Sequence, residues 1–262
     1  MFFSVFVTFA TMLTETQAIV LRSFKYGDQK LIVDMLTSQE GRVSFVVRVG
    51  RSGSRNQGRA SRGKVPKQLL QPMTLLEVSY ERLPSAQLQT LGEAHLSQPY
   101  TSIPFDARKL SITLFVAEFL CYATRSEQQN SGLFAYIANS MQWLDGCTVS
   151  FSNFHLVFLM RMTRFVGFFP NIDDYNEGDC FDLRAASFCH DAPLHPDFLL
   201  PADAQRICTL MRMNYDSMHL FRMSHEDRNR IVEVLLRYYR LHVPNFPELR
   251  SLPVLQQLWE EE

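Results

Sequence analysis

Along RVSFVVRV, Val43, Phe45, Val47 and Val49 fall on one side of an extended chain, and Arg42, Ser44, Val46 and Arg48 on the other. That period of two predicts a half-buried antiparallel strand with two arginines on its outer face. The same pattern reads TQAIVLRSFKY and KLIVDMLTS as strands before it, broken at Gly27-Asp28 and at Gly41. QLLQPMTLLEVSYERL gives a fourth strand with Leu76, Val78 and Tyr80 sharing a side, and Leu88 to His95 a fifth. Pro72 sits near the start of the fourth run, where a proline is tolerated. Five short antiparallel strands in about eighty residues suit a small closed barrel of the OB type, a fold that commonly hosts oligonucleotides.

The period changes after QPYTSIP, residues 98–104. Helices are predicted over Asp106–Glu127, Ser131–Asp145 and Phe151–Val166, then over Ala202–Met213, His225–Leu241 and Val254–Glu261. In the first, Leu110, Leu114, Ala117, Phe119, Leu120 and Cys121 form a wide apolar face, and Asp106 suits the positive end of the helix dipole. Gly167 to Pro201 carries four prolines and reads as mostly irregular, while Asn214–Met223 is ambiguous. The expected organisation is α+β and multi-domain: an OB-fold barrel over 12–98, then a helical domain over 99–262 with an irregular insertion at 167–201. Residues 1–11 are apolar, but they lack a basic n-region and a cleavage site and are too short to span a bilayer. They read as a leader or upstream start, with the folded domain beginning at Met12.

Charge adds a second layer. The 262-residue chain is 46% hydrophobic, 20% charged and holds 21 phenylalanines, enough for real cores, and its net charge is −1. Yet from Gly41 to Leu76 there is no acidic residue, while Arg42, Arg48, Arg51, Arg55, Arg59, Arg62, Lys64 and Lys67 follow one another among glycines and serines. Such a run repels itself until a polyanion neutralises it, and nucleic-acid phosphates are the commonest partner. Acidic residues lie elsewhere, at Asp173, Asp174, Glu177, Asp179 and Glu260 to Glu262, which points to one nucleic-acid face on a near-neutral protein. With Arg22, Lys25 and Lys30 on the first two strands, these cations are the expected nucleic-acid contacts. Phe24 and Tyr26 are the expected base-stacking residues, whereas Phe45 alternates with valines and is expected in the core.

Motifs of catalysis are missing: there is no G-x-S-x-G, P-loop, G-x-G-x-x-G or H-E-x-x-H. The five cysteines are odd in number and form no C-x-x-C, so with no export signal they read as reduced thiols of a cytoplasmic protein. Cys180, Cys189, His190, His195 and Cys208 are zinc-ligand types, but they lack the paired spacings of a zinc site, so no metal is expected. Asp173 to Asp179 does not follow the order of an EF-hand loop and reads as a solvated acidic turn. In the helical half, Arg161 and Arg164 lie among Met, Phe and Val, and Arg237 and Arg240 flank two tyrosines; basic residues beside apolar ones suit a partner segment that is acidic and apolar together.

AIVLRSFKYGDQKLIVDMLTSQEGRVSFVVRVGRS resembles the start of the RecO family, bacterial recombination mediators. Tyr26-Gly27-Asp28 through Ile32 is similar to that family's "Y-G-(D/E)-x-(D/S)-x-(I/L)" turn, with Lys30 departing from the usual small or acidic residue. Thr37 to Gly41 is similar to its "T-x-x-x-G" turn, and Gly167 to Pro170 to its "G-(F/Y)-x-P" segment. The resemblance, running from Met12 to about Leu258, implies an OB fold followed by a helical domain. It also implies binding of single- and double-stranded DNA, strand annealing, and action with RecR to load RecA onto DNA coated by single-strand-binding protein, in the cytoplasm near the nucleoid. Many members hold zinc through two C-x-x-C pairs after the G-(F/Y)-x-P segment; here Asn171, Ile172, Asp173 and Asp174 stand where the first pair would be. The family also binds the acidic tail of single-strand-binding protein, for which Arg161 and Arg164 are the candidates. Two other readings use the same residues: an RNA-binding OB protein, and a metal-dependent nuclease built on Asp173 to Asp179.

Overall fold

A computed structural model of the chain describes residues 12–49, 64–148, 150–173 and 175–257. Residues 1–11, the run 50–63 with Arg51, Arg55, Arg59 and Arg62, and Asp174 and Glu260 to Glu262 lie outside the described residues. The chain divides into two compact units, one up to residue 99 with residues 126–134, the other holding 100–125 and 135 onward.

Five strands build the first unit: β1 (Met12–Lys25), β2 (Lys30–Thr37), β3 (Gly41–Arg48), β4 (Leu75–Arg82) and β5 (Gln89–Gln98). They close in the order β1-β2-β3-β5-β4, antiparallel except for the short parallel pairing of β3 with β5, which is the OB arrangement. The alternation read along β3 holds: Phe45 and Val47 are buried beside Val33, Met35, Val78 and Tyr80, and Phe45 meets Tyr80 edge-on at 4.9 Å between centroids. A bulge at Val20/Arg22 lets Ala18, Ile19, Val20 and Leu21 all bury and still turns Arg22 outward opposite Asp34. Between β3 and β4 a 3₁₀ turn (Lys67–Leu70) plugs the barrel with Leu70.

Both turn motifs have physical roles. Gly27 (φ +73°) supplies the left-handed step of the β1–β2 hairpin. At the β2–β3 turn the buried Thr37 hydroxyl donates to the Gly41 carbonyl (3.0 Å) and accepts from the Glu40 N–H (3.1 Å). Gly41 also has φ +71°, and a Cβ there would overlap the backbone carbonyls of Glu127 and Gln128.

The second unit is built on α1 (Ala107–Ala123), α2 (Ser131–Gly146), α3 (Phe154–Val166), α4 (Pro201–Arg212), α5 (His225–His242) and α6 (Leu252–Gln257). Asp106 caps α1, accepting from the N–H groups of Arg108 and Lys109. The apolar face expected on α1 needs correction: Leu110 and Leu114 are 40% and 43% exposed, while Lys109, Ile112, Thr113 and Phe115 are buried with Ala117, Phe119, Leu120 and Cys121. Lys109 tolerates burial because its ammonium donates to Cys147 O (2.6 Å), Ser102 Oγ (2.8 Å) and Asp145 O (3.0 Å). The helix also ends four residues early, at Ala123, α3 begins at Phe154, and α6 begins at Leu252, two residues before the apolar pattern places its start.

The segment expected to be irregular holds a small antiparallel sheet, β6 (Cys180–Asp182), β7 (Ser187–Cys189) and β8 (Phe198–Leu199), in the order β7-β6-β8. Gly167 (φ +88°) ends α3, and Phe168 after it stacks on His242 (4.6 Å) and meets Tyr238 and Tyr239 edge-on. The G-F-x-P segment is thus a helix stop followed by a buried plug. Among the described residues no helix is long and apolar enough to cross a membrane.

Asp145, near the end of α2, accepts from the backbone N–H groups of Thr101, Ser102 and Ile103 at 2.7 to 2.8 Å. Burial pushes its carboxyl up, but these bonds and the Thr101 hydroxyl outweigh that and hold it at about 2. With the unfolded value near 3.8, its contribution is complete above that pH and gone once the pH passes below about 2. Asp145→Ala is expected to lower stability at pH 7 by about 2 kcal/mol, less at pH 2, as read from urea melts at the two pH values.

Candidate nucleic-acid interface

The register of β1, β2 and β3 lines their outward residues into three transverse rows. Phe24 pairs with Ile32 and Ile32 with Val46, an aromatic and aliphatic strip across three strands. On one side Lys30 pairs with Arg48. The hairpin backbone is fastened there, Tyr26 N–H donating to Lys30 O at 2.9 Å. On the other side Arg22 pairs with Asp34 and Asp34 with Ser44. Phe24 (45%) and Tyr26 (53%) are exposed, in contrast to Phe45 and Tyr80 in the core. The Arg22 guanidinium lies 5.6 Å from the Phe24 ring centroid, a cation–π contact.

The remaining cations distribute unevenly. Lys64 is exposed and next to Val65, whose N–H donates to Arg48 O (2.9 Å), so it borders the Lys30–Arg48 row. Lys25 is exposed at the strand end and alternates away from Phe24, opposite Leu31. Lys67 is exposed on the 3₁₀ turn rather than in a row. Arg42 is drawn in: its side chain is 11% exposed and its Nη2 donates to Asp34 Oδ2 at 2.9 Å.

Asp34 is the residue sequence reasoning missed. Its Oδ2 accepts from Arg22 Nε (2.7 Å) as well as Arg42, and its Oδ1 from Ser44 Oγ (2.5 Å). Burial pushes this carboxyl up, but the bonds from Ser44, Arg22 and Arg42 outweigh it and hold it below the usual carboxylate range. The available signal was an acid at an outward position of an otherwise apolar strand, directly opposite an arginine.

In the helical unit Arg161 is half-buried, its Nη2 donating to Met213 O (2.9 Å), and Arg164 is exposed with its guanidinium 4.1 Å from the Phe169 ring centroid. The candidate zinc ligands are engaged separately. Cys180 and Cys189 pair across β6 and β7, His190 meets Asp179 and His195 meets Asp182 at 3.3 Å each, and Cys208 is buried on α4. Asp179 faces inward and accepts from the Asn176 N–H (2.8 Å), holding its own turn. Among the described residues no three His, Cys, Asp or Glu side chains come together to hold an ion.

The barrel and the helical unit each match a family model. Residues 12–100 match the model for "Recombination protein O N terminal", and residues 104–253 that for "Recombination protein O C terminal". The chain is 46% identical over 250 residues to the DNA repair protein RecO of Bacteroides fragilis, covering 95% of this chain and all of that protein. It is 47% identical over 248 residues to that of Phocaeicola vulgatus and 32% identical over 249 to that of Azobacteroides pseudotrichonymphae, with the same coverage. Matched by both models and by these relatives along nearly its whole length, the chain belongs to the recombination protein O family.

Proposed function

We propose that this chain is a DNA repair protein, a non-enzymatic recombination mediator that binds single- and double-stranded DNA and anneals complementary strands. On this reading it acts with RecR to help load RecA onto DNA coated by single-strand-binding protein. The observation that carries the binding role is the Phe24–Ile32–Val46 strip with cations on both sides. A stacking surface flanked by positive charge takes unpaired bases along its middle and phosphates along its edges. Lys30, Arg48 and Lys64 serve one edge and Arg22 the other, with Lys25 and Lys67 nearby. Arg51, Arg55, Arg59 and Arg62 add salt-sensitive affinity from the segment after β3. Neutralising both strands lowers the repulsion that slows pairing. Arg161 and Arg164 are the proposed contacts for the acidic tail of single-strand-binding protein.

The test is single-stranded DNA affinity across a salt series. About five phosphate contacts give a slope of log K against log salt near −3.5, and replacing Lys30, Arg48 and Lys64 with glutamine should flatten it by about 2. An unchanged slope sinks the assignment of this face. A matched RNA oligonucleotide bound in preference to DNA would favour an RNA-directed role instead.

A further inference from the structure

In KLIVDMLT the alternation of β2 puts Asp34 on the outer face of the barrel, where a carboxylate would repel phosphate. Its side chain is nevertheless only 5% exposed, because Arg22, Arg42 and Ser44 close over it. The two arginines meet this carboxylate differently. Arg42 lies opposite Leu36 in register and reaches along the face to Asp34, ending 11% exposed. Arg22 gives its Nε to Asp34 but stays 47% exposed, with the guanidinium beside Phe24. An arginine on a barrel face otherwise loses rotamer freedom only on binding, and that loss weakens the complex.

We propose that Asp34 is a positioning residue for nucleic-acid binding: it fixes the Arg22 guanidinium against Phe24 as one ready-made platform, and it withdraws Arg42 from phosphate contact. This rests on the strand face being the binding surface. Asp34 sets how many cations the face presents and holds one of them in place. The row Arg22–Asp34–Ser44 is therefore a calibrated edge, while Lys30–Arg48 is a plain cationic one.

The experiment measures binding of a fluorescent oligo-thymidine to the full chain by anisotropy from low salt to 1 M, with thermal melts on each variant. Arg42→Gln should keep slope and affinity within about twofold of the parent while lowering the melting temperature. A slope flattened by about 0.7, one phosphate, would overturn the withdrawal of Arg42. Asp34→Asn should weaken affinity extrapolated to 1 M salt about five- to tenfold as the platform loosens. Asp34→Glu should restore part of the 1 M affinity. In a Phe24→Ala background Asp34→Asn should cost nothing further at 1 M, because both changes dismantle one platform. Additive losses would reveal a merely structural carboxylate and overturn the positioning role. If Asp34→Asn fails to fold, the Arg42→Gln slope decides. A parent protein that binds no oligo-thymidine overturns the functional reading itself, an outcome distinct from binding that is indifferent to Asp34.

Discussion

Lowering the pH from 7.5 to 5 should weaken the helical unit by about 2 kcal/mol through His155 alone. This imidazole is 2% exposed, packs edge-on to Phe115, and its Nδ1 has no hydrogen-bond partner among the described residues. Burial pushes its pKa down to about 3, and the nearby Arg228 charge adds to the shift. The unfolded chain therefore takes up a proton near pH 6.5 that the folded chain refuses until about pH 3. Above pH 6.5 the difference vanishes; below it, stability falls steadily and levels out near pH 3, after a loss on the order of 4–5 kcal/mol. Urea melts of the parent and His155→Leu at pH 7.5 and 5 check this. The variant should lose about 2 kcal/mol less than the parent over that interval, and equal losses would refute the assignment to His155.

Gly41→Ala is expected to destabilise the barrel by about 3 kcal/mol or more. A left-handed residue with a side chain costs about 1–2 kcal/mol on its own. Here the added carbon must also displace backbone rather than a pliable side chain, since the carbonyls of Glu127 and Gln128 occupy its place. Gly27 is the control, with nearly the same φ (+73° against +71°) and nothing within 4 Å of its imagined Cβ. Gly27→Ala should show the conformational cost alone, about 1–2 kcal/mol. The difference between the two variants in urea melts measures the close approach, and equal costs would mean that the Glu127–Gln128 backbone yields freely.

The barrel was most legible at β3, where Val43, Phe45 and Val47 announce themselves against Arg42, Ser44 and Arg48. Helix α1 was harder for the opposite reason. It is apolar around most of its circumference, so periodicity carries little contrast, and nothing in it reveals that Leu110 faces water while Lys109 is buried. That exchange depends on carbonyls at Asp145 and Cys147, more than thirty residues away. The candidate site shows the same division. Phe24, Tyr26, Lys30 and Arg48 could be picked from composition and placement along the strands. The fate of Arg42 depended on cross-strand register, which sequence sets only through the whole barrel. The segment of Gly167 to Pro201 hid three short strands, each too brief to show a period.

The barrel holds the two ends of the basic segment side by side. Val49 and Val65 form a parallel bridge, with Val49 N–H donating to Gln29 O (3.1 Å) and Val65 N–H to Arg48 O (2.9 Å). These backbone pairings tie the end of β3 to the residues leading into the 3₁₀ turn at Lys67–Leu70. The bridge therefore sets Lys64 next to Arg48 through backbone hydrogen bonds, so the spacing of these two cations is fixed by the ladder rather than by side-chain rotamers.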